Sequence, residues 1–280
     1  MTTSTFTSGH YTDILPSVNA RLGLTDTLVA RAAASRVVSR PTLTDLSPAQ
    51  SLTSNPGNER ITRGNPDLLP LGAWQFELAL ESYFNPDSLA AATVFYKSID
   101  SFITRGVSTQ LVDQVIFIVA QPVNGRGASL QGLELSYRPV CLPSPFDGLG
   151  TQNTYTDSNA NYFDAARPDA AHYSLEGLSK SSFTCVAFYE KGPLQARVSY
   201  TWRDHYLEAP QTQTGVPQFT ASYAQLDAGM QYSLNKHIIL TVDAVNLAGS
   251  KEFAYASVIQ DTQSYRDVGR RYTVGICGKY

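Results

Sequence analysis

The sequence predicts an all-β fold, an antiparallel up-and-down transmembrane β-barrel, and three observations carry this prediction. About eleven segments alternate between apolar and polar residues, which is the pattern of strands whose two faces meet different surroundings. Short turns and long loops follow one another along the chain, as at the two rims of a membrane barrel. Charged residues make up 16% of the chain, against about 25% in an average soluble domain.

The final segment, 270–280, shows the alternation most clearly. One of its faces is small, polar or cationic, and the other is apolar with an aromatic residue at each end. The apolar face is about as tall as the hydrocarbon core of a bilayer, with aromatic side chains where the two interfaces would lie. Its residues are Tyr272, Val274, Ile276, Gly278 and Tyr280.

Similar alternation recurs along the chain and gives the predicted strands. They lie at 10–23, 27–38, 72–84, 88–103, 128–140, 148–158, 180–191, 194–206, 222–234, 236–248 and 269–280. Tight turns rich in Asn, Gly and Pro close the short hairpins. The long connections are rich in Pro, Asn, Gly, Asp and Ser, as surface loops are, and are predicted at 39–71, 105–127, 159–179, 207–221 and 249–267.

An odd number of strands has a topological consequence. In an antiparallel meander of eleven strands, the first and the last run in the same direction. An up-and-down barrel that closes antiparallel needs an even number of strands. Either the count of strands is off by one, or these strands are part of a larger barrel.

The composition argues against other classes of protein. The longest apolar run, Val115 to Ala120, is far shorter than the roughly 20 residues that a membrane-spanning helix needs. A net charge of -3 provides no basic surface, so we expect no nucleic-acid partner. The three cysteines are far apart and predict neither a disulfide framework nor a metal site; they are Cys141, Cys185 and Cys277.

No catalytic set, metal site or cofactor site is predicted, and hence no enzyme activity. The four histidines lack a Glu, a Cys or a second His at ligand spacing, so we interpret them as surface or loop residues. The segment Gly125-Arg126-Gly127-Ala128 follows a loop rather than a strand that enters a helix, which argues against phosphate binding. The histidines are His10, His172, His205 and His237.

Several short motifs occur in one order along almost the whole chain. The segment 63–70 reads Arg-Gly-Asn-Pro-Asp-Leu-Leu-Pro and is followed by Trp74, the segment 244–247 reads Ala-Val-Asn-Leu, and Gly269-Arg270-Arg271-Tyr272 leads into the last strand. In content, order and spacing these motifs resemble the TonB-dependent outer-membrane receptors. The resemblance covers only about the last half of that family's barrel.

The resemblance implies a barrel of 22 strands in the cell outer membrane and energised uptake of a scarce ligand. The ligand would be a ferric siderophore, a cobalamin or an oligosaccharide. Residues 1–280 would form one unit, the C-terminal part of the barrel, with the long connections outside the cell. The signal peptide, TonB box and plug domain of such receptors are expected to be absent here, so the chain alone is expected not to transport.

The implied partners are outer-membrane lipid, a small-molecule ligand, the barrel-assembly machinery and, through a plug domain, the TonB complex. The assembly signal would be the apolar face of the last strand, at Tyr272, Val274, Ile276 and Tyr280. Three alternatives stay open: a passive porin-like barrel, a truncated non-functional reading frame, and a soluble β-sandwich adhesin.

Charged residues on the polar faces are the candidate ligand or plug contacts, because a wet barrel lumen carries both signs of charge. In the favoured interpretation, these residues pair across neighbouring strands or dock the plug. In the other interpretation, some of them line a substrate path. They are Glu77, Glu81, Glu134, Arg138, Arg197, Arg203, Asp227, Asp243 and Arg271. Loop aromatics that could stack on a ligand are Tyr162, Phe163, Tyr173, Tyr206, Phe219, Phe253 and Tyr255.

Overall fold

A computed structural model of the 280-residue chain describes residues 9–140, 147–163, 174–209 and 216–278. Every regular element in these ranges is a β-strand, and none of them contains a helix that is long and apolar enough to cross a membrane. The strands are β1 (Ser17–Gly23), β2 (Leu28–Ser39), β3 (Gln50–Asn55), β4 (Asn58–Arg63), β5 (Leu71–Asn85), β6 (Ser88–Val112), β7 (Val115–Arg138), β8 (Leu149–Phe163), β9 (Ser181–Lys191), β10 (Leu194–Arg203), β11 (Tyr206–Ala209), β12 (Gln218–Thr220), β13 (Tyr223–Ser233), β14 (Ile238–Val245), β15 (Glu252–Ala256), β16 (Thr262–Arg266) and β17 (Arg271–Gly278).

Eleven of these strands form one continuous sheet, which we call the wall. Its order is β1-β2-β5-β6-β7-β8-β9-β10-β13-β14-β17, and every neighbouring pair is antiparallel. The predicted all-β antiparallel architecture and its eleven strands are confirmed. Within the described residues β1 and β17 are not paired with each other, so the sheet is open. The total of 22 strands stays a prediction.

The two ends of the wall differ. The turn rim is the end where tight turns join β1 to β2, β5 to β6, β9 to β10 and β13 to β14; the loop rim is the opposite end. Connections on the loop rim carry structure of their own. The β3–β4 hairpin pairs in parallel with β7 through Arg60–Thr62 and Ile118–Ala120, and β11, β12, β15 and β16 form a separate four-stranded sheet.

The wall is one layer thick, because no other layer of the described residues covers its apolar face. On β5, Trp74, Phe76, Leu78 and Leu80 lie on that face and are 38–60% exposed. Clusters of buried apolar side chains lie at the loop rim instead, where Ile61, Phe117 and Val119 pack together. A sheet with a large exposed apolar face and little internal core is the arrangement of a membrane barrel, whose outer face meets lipid.

Several strand boundaries differ from the predicted ones, such as the end of β8 at Phe163 instead of residue 158, and two of the differences have identifiable reasons. The predicted first strand begins at residue 10, whereas β1 begins at Ser17, directly after Pro16, which lacks the N–H that a sheet ladder needs. Strands β6 and β7 extend through the predicted connection at 105–127 as one hairpin, because the run from Val115 to Val119 has high β propensity.

The tip of that hairpin provides a stability prediction. Its two-residue turn holds Asp113 and Gln114 at φ values of 50° and 67°, which favour Asn and Gly. We expect D113N/Q114G to stabilise the tip by about 1 kcal/mol, which would slow amide hydrogen exchange at Val115, the residue after the turn, roughly fivefold. The control is Q110G, which places glycine in extended β6 and should speed exchange; slower exchange in both variants would contradict this account.

Candidate functional site

All nine predicted charged residues lie on one face of the wall, which we call the polar face. The strand register shows this directly: Glu134 aligns with Thr93 on β6 and Thr156 on β8, and the same row continues through Ser182 to Arg203. The neighbouring rows place the other residues on the same side. Their role as ligand or plug contacts stays a prediction.

Three of the nine are engaged within the chain. Glu81 accepts a hydrogen bond from Arg31 Nε at 2.8 Å and one from the Tyr83 hydroxyl at 2.8 Å. Such bonds fix the carboxylate against its neighbours, as the favoured interpretation expects. Arg203 and Asp227, the other two, hold loop-rim segments and are described below.

Asp227 belongs to a buried hydrogen-bond network around Asn246, which is 1% exposed. Asp227 Oδ1 accepts the Asn246 backbone N–H at 2.8 Å. The Asn246 side chain donates to the Ser250 carbonyl at 3.0 Å and to the Gly269 carbonyl at 2.9 Å, and its Oδ1 accepts the Ser250 N–H at 2.8 Å. This network links the start of the β14–β17 connection to its end and to β13, so Asp227 stabilises the loop rim.

Arg203 holds an inward-folded segment, residues 174–180, against the polar face. Its Nε donates to Ser179 Oγ at 2.9 Å, its Nη2 donates to the Gly177 carbonyl at 2.8 Å, and its guanidinium lies 4.0 Å from the ring centroid of Tyr206. In the same segment, Leu175 packs against the cluster of Phe102 and Ala128. The chain therefore covers part of its own polar face.

The other six charged residues make no ion pair with another described side chain. Glu77 and Glu134 line a recess of about 240 Å³ together with Lys97, Phe95 and Leu178. A second recess of about 320 Å³, farther along the wall, is lined by Arg197, Asp227 and Asp243. Arg138 lies at the turn-rim end of β7, and Arg271 lies at the loop-rim end of β17.

Gly229 explains how the second recess forms. It lies between Arg197 on β10 and Asp243 on β14 in one cross-strand row. A Cβ atom at this position would lie 2.9 Å from Asp243 Oδ1 and 3.4 Å from Arg197 Nε. Both charged groups therefore lie over the glycine, and both face the space beside the wall.

Glu176, in the inward-folded segment, gives a pH prediction. Burial raises the pKa of its carboxyl, against the lowering effects of the Thr104 hydroxyl, which donates to it at 2.6 Å, and of Arg105. A raised carboxyl pKa means that the stabilisation is fully present below the unfolded pKa, about 4.3, and is lost as the pH rises through the folded pKa.

We therefore expect the segment to dock more tightly at pH 5 than at pH 7.5. The probe is hydrogen exchange of the Gly177 amide, which donates to the Leu207 carbonyl at 2.8 Å, corrected for its intrinsic pH dependence. E176Q keeps the size of the side chain but replaces the carboxyl with an amide that does not ionise. The pH dependence should therefore disappear in this variant. The same dependence in E176Q as in the native chain would show that Glu176 is not its source.

The sequence did not indicate the residues that attach the 63–69 segment to β7 by hydrogen bonds. Asn124 on β7 accepts the Leu69 N–H at 2.8 Å and donates to the Leu69 carbonyl at 2.9 Å. Asn65 donates to the Pro122 carbonyl at 3.1 Å, and Leu68 is 1% exposed. The motif that carries the family resemblance thus fixes the β2–β5 connection to the β6–β7 hairpin.

An aromatic cluster lies on the four-stranded sheet of the loop rim, and we call it the aromatic face. The Phe219 and Tyr255 rings stack with centroids 5.6 Å apart, and the Phe253 and Tyr255 centroids are 6.5 Å apart. Tyr265 pairs with Phe253 across β15 and β16, and Lys251 Nζ lies 5.5 Å from the Tyr265 ring centroid. The structure thus brings together three of the predicted loop aromatics and adds Tyr265.

The remaining predicted aromatics do not join this cluster. Tyr206 lies under Arg203. Tyr162 and Phe163 are the last two residues of β8. Four other residues named from the sequence lie outside the described residues: Cys141, His172, Tyr173 and Tyr280. Within the described ranges, no group of three or more His, Cys, Asp and Glu side chains is arranged to hold a metal ion.

Comparison with known proteins places this architecture in a family. The family model described as "TonB dependent receptor-like, beta-barrel" matches residues 2–247, and no curated protein sequence matches the chain. A mutant of the ferric enterobactin receptor PfeA of Pseudomonas aeruginosa is similar in structure, with a TM-score of 0.69 and 19% identity over 95% of this chain and 40% of that one.

Two further solved structures share the fold. The siderophore receptor PirA of Acinetobacter baumannii has a TM-score of 0.63 and 15% identity, over 95% of this chain and 41% of its own. The ferric-catecholate import receptor Fiu of E. coli K12 has a TM-score of 0.63 and 17% identity, over 94% of this chain and 34% of its own. The chain thus spans less than half the length of these receptors. Its wall and the match over residues 2–247 confirm the predicted family: the chain belongs to the TonB-dependent receptors, outer-membrane barrels that act in transport and are not enzymes.

Proposed function

We propose that this chain is the C-terminal part of the barrel wall of a receptor for TonB-coupled uptake of a ferric siderophore. The observation that carries the proposal is the aromatic face beside Lys251 at the loop rim. An anionic iron complex with flat rings suits stacking on aromatic side chains next to a cation. The similar receptors are described as siderophore, ferric enterobactin and ferric-catecholate receptors, which favours this class over a cobalamin or an oligosaccharide.

The aromatic face is tested by ligand binding to the full chain refolded in detergent. Ferric enterobactin, cyanocobalamin and a maltooligosaccharide serve as the three probes, with binding followed by quenching of intrinsic fluorescence. We expect ferric enterobactin to bind and Y255A to weaken its binding roughly tenfold, whereas Y255F keeps the ring and should bind as the native chain does. Binding of another probe alone, or equal binding by Y255A, would contradict the proposal.

We propose that the full barrel has 22 strands and that residues 1–280 contribute the last eleven. The open wall and the coverage of about two fifths of a related receptor support this. In that barrel the loop rim faces outward from the cell, and the six unpaired charges of the polar face contact a plug domain or the ligand. Contact with the TonB complex would pass through that plug domain.

A passive pore is the alternative that one experiment separates from this proposal. An open wall of eleven strands encloses no channel, so the chain alone should give no solute flux in a liposome-swelling assay. Flux comparable to that of a porin would favour the porin-like alternative.

The apolar face of β17 is the proposed signal for the barrel-assembly machinery and a lipid contact. Tyr272, Val274 and Ile276 on this face are 64–78% exposed, so they are accessible to a partner. Tyr280, the fourth residue of the proposed signal, lies outside the described residues.

A further inference from the structure

We propose that the free edge of β1 is covered by an antiparallel strand that carries an acidic residue opposite Arg21, supplied by the complementary part of the barrel and not by a second copy of this chain. This inference rests on the proposed larger barrel. It adds the chemistry and the direction of the strand next to β1.

Among the described residues, no strand pairs with the outer edge of β1. All seven residues of β1 are exposed, and its apolar side chains Val18 and Leu22 are 67% and 62% exposed. Unpaired backbone N–H and C=O groups are costly in lipid, where water cannot satisfy them. An edge of this kind needs a covering strand once the wall lies in a membrane.

Charge indicates what the covering strand carries. Arg21 lies directly across from Arg31 in the β1–β2 register, and like charges directly opposite each other destabilise a strand pair. Arg31 is neutralised by Glu81 at 2.8 Å. Arg21 also lies within reach of the charge of Glu81, but it makes no contact ion pair with a described side chain, so the strand on its other side is the place for an acidic partner in direct contact.

The surroundings of Arg21 leave room for that partner. A recess of about 360 Å³ is lined by Arg21, Arg31, Glu81 and small side chains that include Ala33 and Ala79. Glu81 is held by both Arg31 and Tyr83. A carboxylate that entered from the open side of β1 would therefore meet Arg21 first.

A second copy of the chain does not supply this carboxylate. The polar face of β17 carries Arg271, Thr273, Gly275 and Cys277, and that of β1 carries Ser17, Asn19, Arg21 and Gly23. Neither edge contains an acidic residue. The direction is also wrong, because β1 and β17 run the same way, so two copies inserted in the same orientation would meet in parallel.

The same topology requires the number of covering strands to be odd. The strands next to β1 and next to β17 must both run opposite to those edges for antiparallel pairing. A meander that starts and ends in one direction has an odd number of strands. The complementary part of the barrel therefore supplies an odd number.

The test uses the full chain refolded in detergent and two synthetic eleven-residue strand peptides with alternating apolar and polar residues. The peptides are identical except for Glu or Lys at the central polar position. We expect the Glu peptide to slow amide exchange in β1 roughly fivefold more than the Lys peptide does, and R21E to reverse this preference. R271E, at the other edge of the wall, is the matched control and should leave the preference at β1 unchanged.

Three results would overturn the inference: equal protection by both peptides, protection by neither, or protection of β1 in a dimer without any peptide. R21Q is a second variant in case R21E does not fold. It removes the charge of Arg21 and should abolish the preference for the Glu peptide without reversing it. Ferric enterobactin binding at the aromatic face is read out separately, so a failure of the inference is distinguishable from a failure of the proposed function.

Discussion

Replacing Asn246 with alanine is expected to lower the free energy of unfolding by roughly 2–4 kcal/mol. The substitution removes three side-chain hydrogen bonds, two donated to the Ser250 and Gly269 carbonyls and one accepted from the Ser250 N–H. The groups left behind lie around a side chain that is 1% exposed, so water cannot readily replace the lost partners. The φ value of 58° adds to the cost, because Asn tolerates this conformation better than Ala.

The measurement is guanidinium unfolding of the refolded chain in detergent, with N246D and N58A as companions. N246D keeps the acceptor oxygen but loses both donated bonds and buries a carboxylate against the Ser250 and Gly269 carbonyls, so we expect a loss of stability at least as large as that of N246A. Asn58 is exposed in the β3–β4 hairpin, and N58A should change stability by less than about 0.5 kcal/mol. If N246A lowered the free energy of unfolding as little as N58A does, the hydrogen-bond network would not stabilise the loop rim.

Replacing Gly64 with alanine is expected to cost about 3 kcal/mol. A Cβ atom at this position would collide with the Ser47 carbonyl oxygen, and would lie 2.7 Å from the Asp45 carbonyl oxygen and 2.9 Å from the Ser47 amide nitrogen. All three are backbone atoms, which cannot move aside as a flexible side chain can. The adjacent bond from the Asn65 N–H to the Asp45 carbonyl, 2.6 Å long, would have to lengthen.

Hydrogen exchange of the Asn65 amide is the local readout for G64A, and guanidinium unfolding is the global one. Gly9 is the control, because a Cβ atom added there meets no atom within 4 Å. We expect faster Asn65 exchange in G64A and no change in G9A. Unchanged exchange in G64A would mean that the 45–47 turn adapts without cost.

The wall was predictable from sequence because period-2 alternation is a local signal. Each strand records the difference between its faces in its own residues, so the eleven strands and the shared face of residues such as Glu77 and Asp243 follow without knowledge of the partners. The odd number of strands is in turn consistent with the open sheet.

The fastenings at the loop rim were not predictable in the same way. Asn124 and Asn246 act through side-chain bonds to backbone groups, and no periodicity marks such residues. The pairing of β12 with β15 joins two connections that are separated along the chain by two wall strands, so neither segment alone indicates the four-stranded sheet. Asp227 was predicted as a charged residue of the polar face, but its bond to the Asn246 N–H depends on the position of a turn 19 residues away.

We expect neighbouring residues of one wall strand to meet lipid and water in turn. Val198 lies on the apolar face of β10 and is 46% exposed, whereas Ser199 pairs with Asp227 on the polar face. In a chain whose two tryptophans, Trp74 and Trp202, are replaced by phenylalanine, a single tryptophan is introduced by V198W or S199W and the protein is reconstituted into liposomes. We expect brominated lipids to quench V198W and aqueous acrylamide to quench S199W; equal quenching of both variants by either reagent would contradict the account.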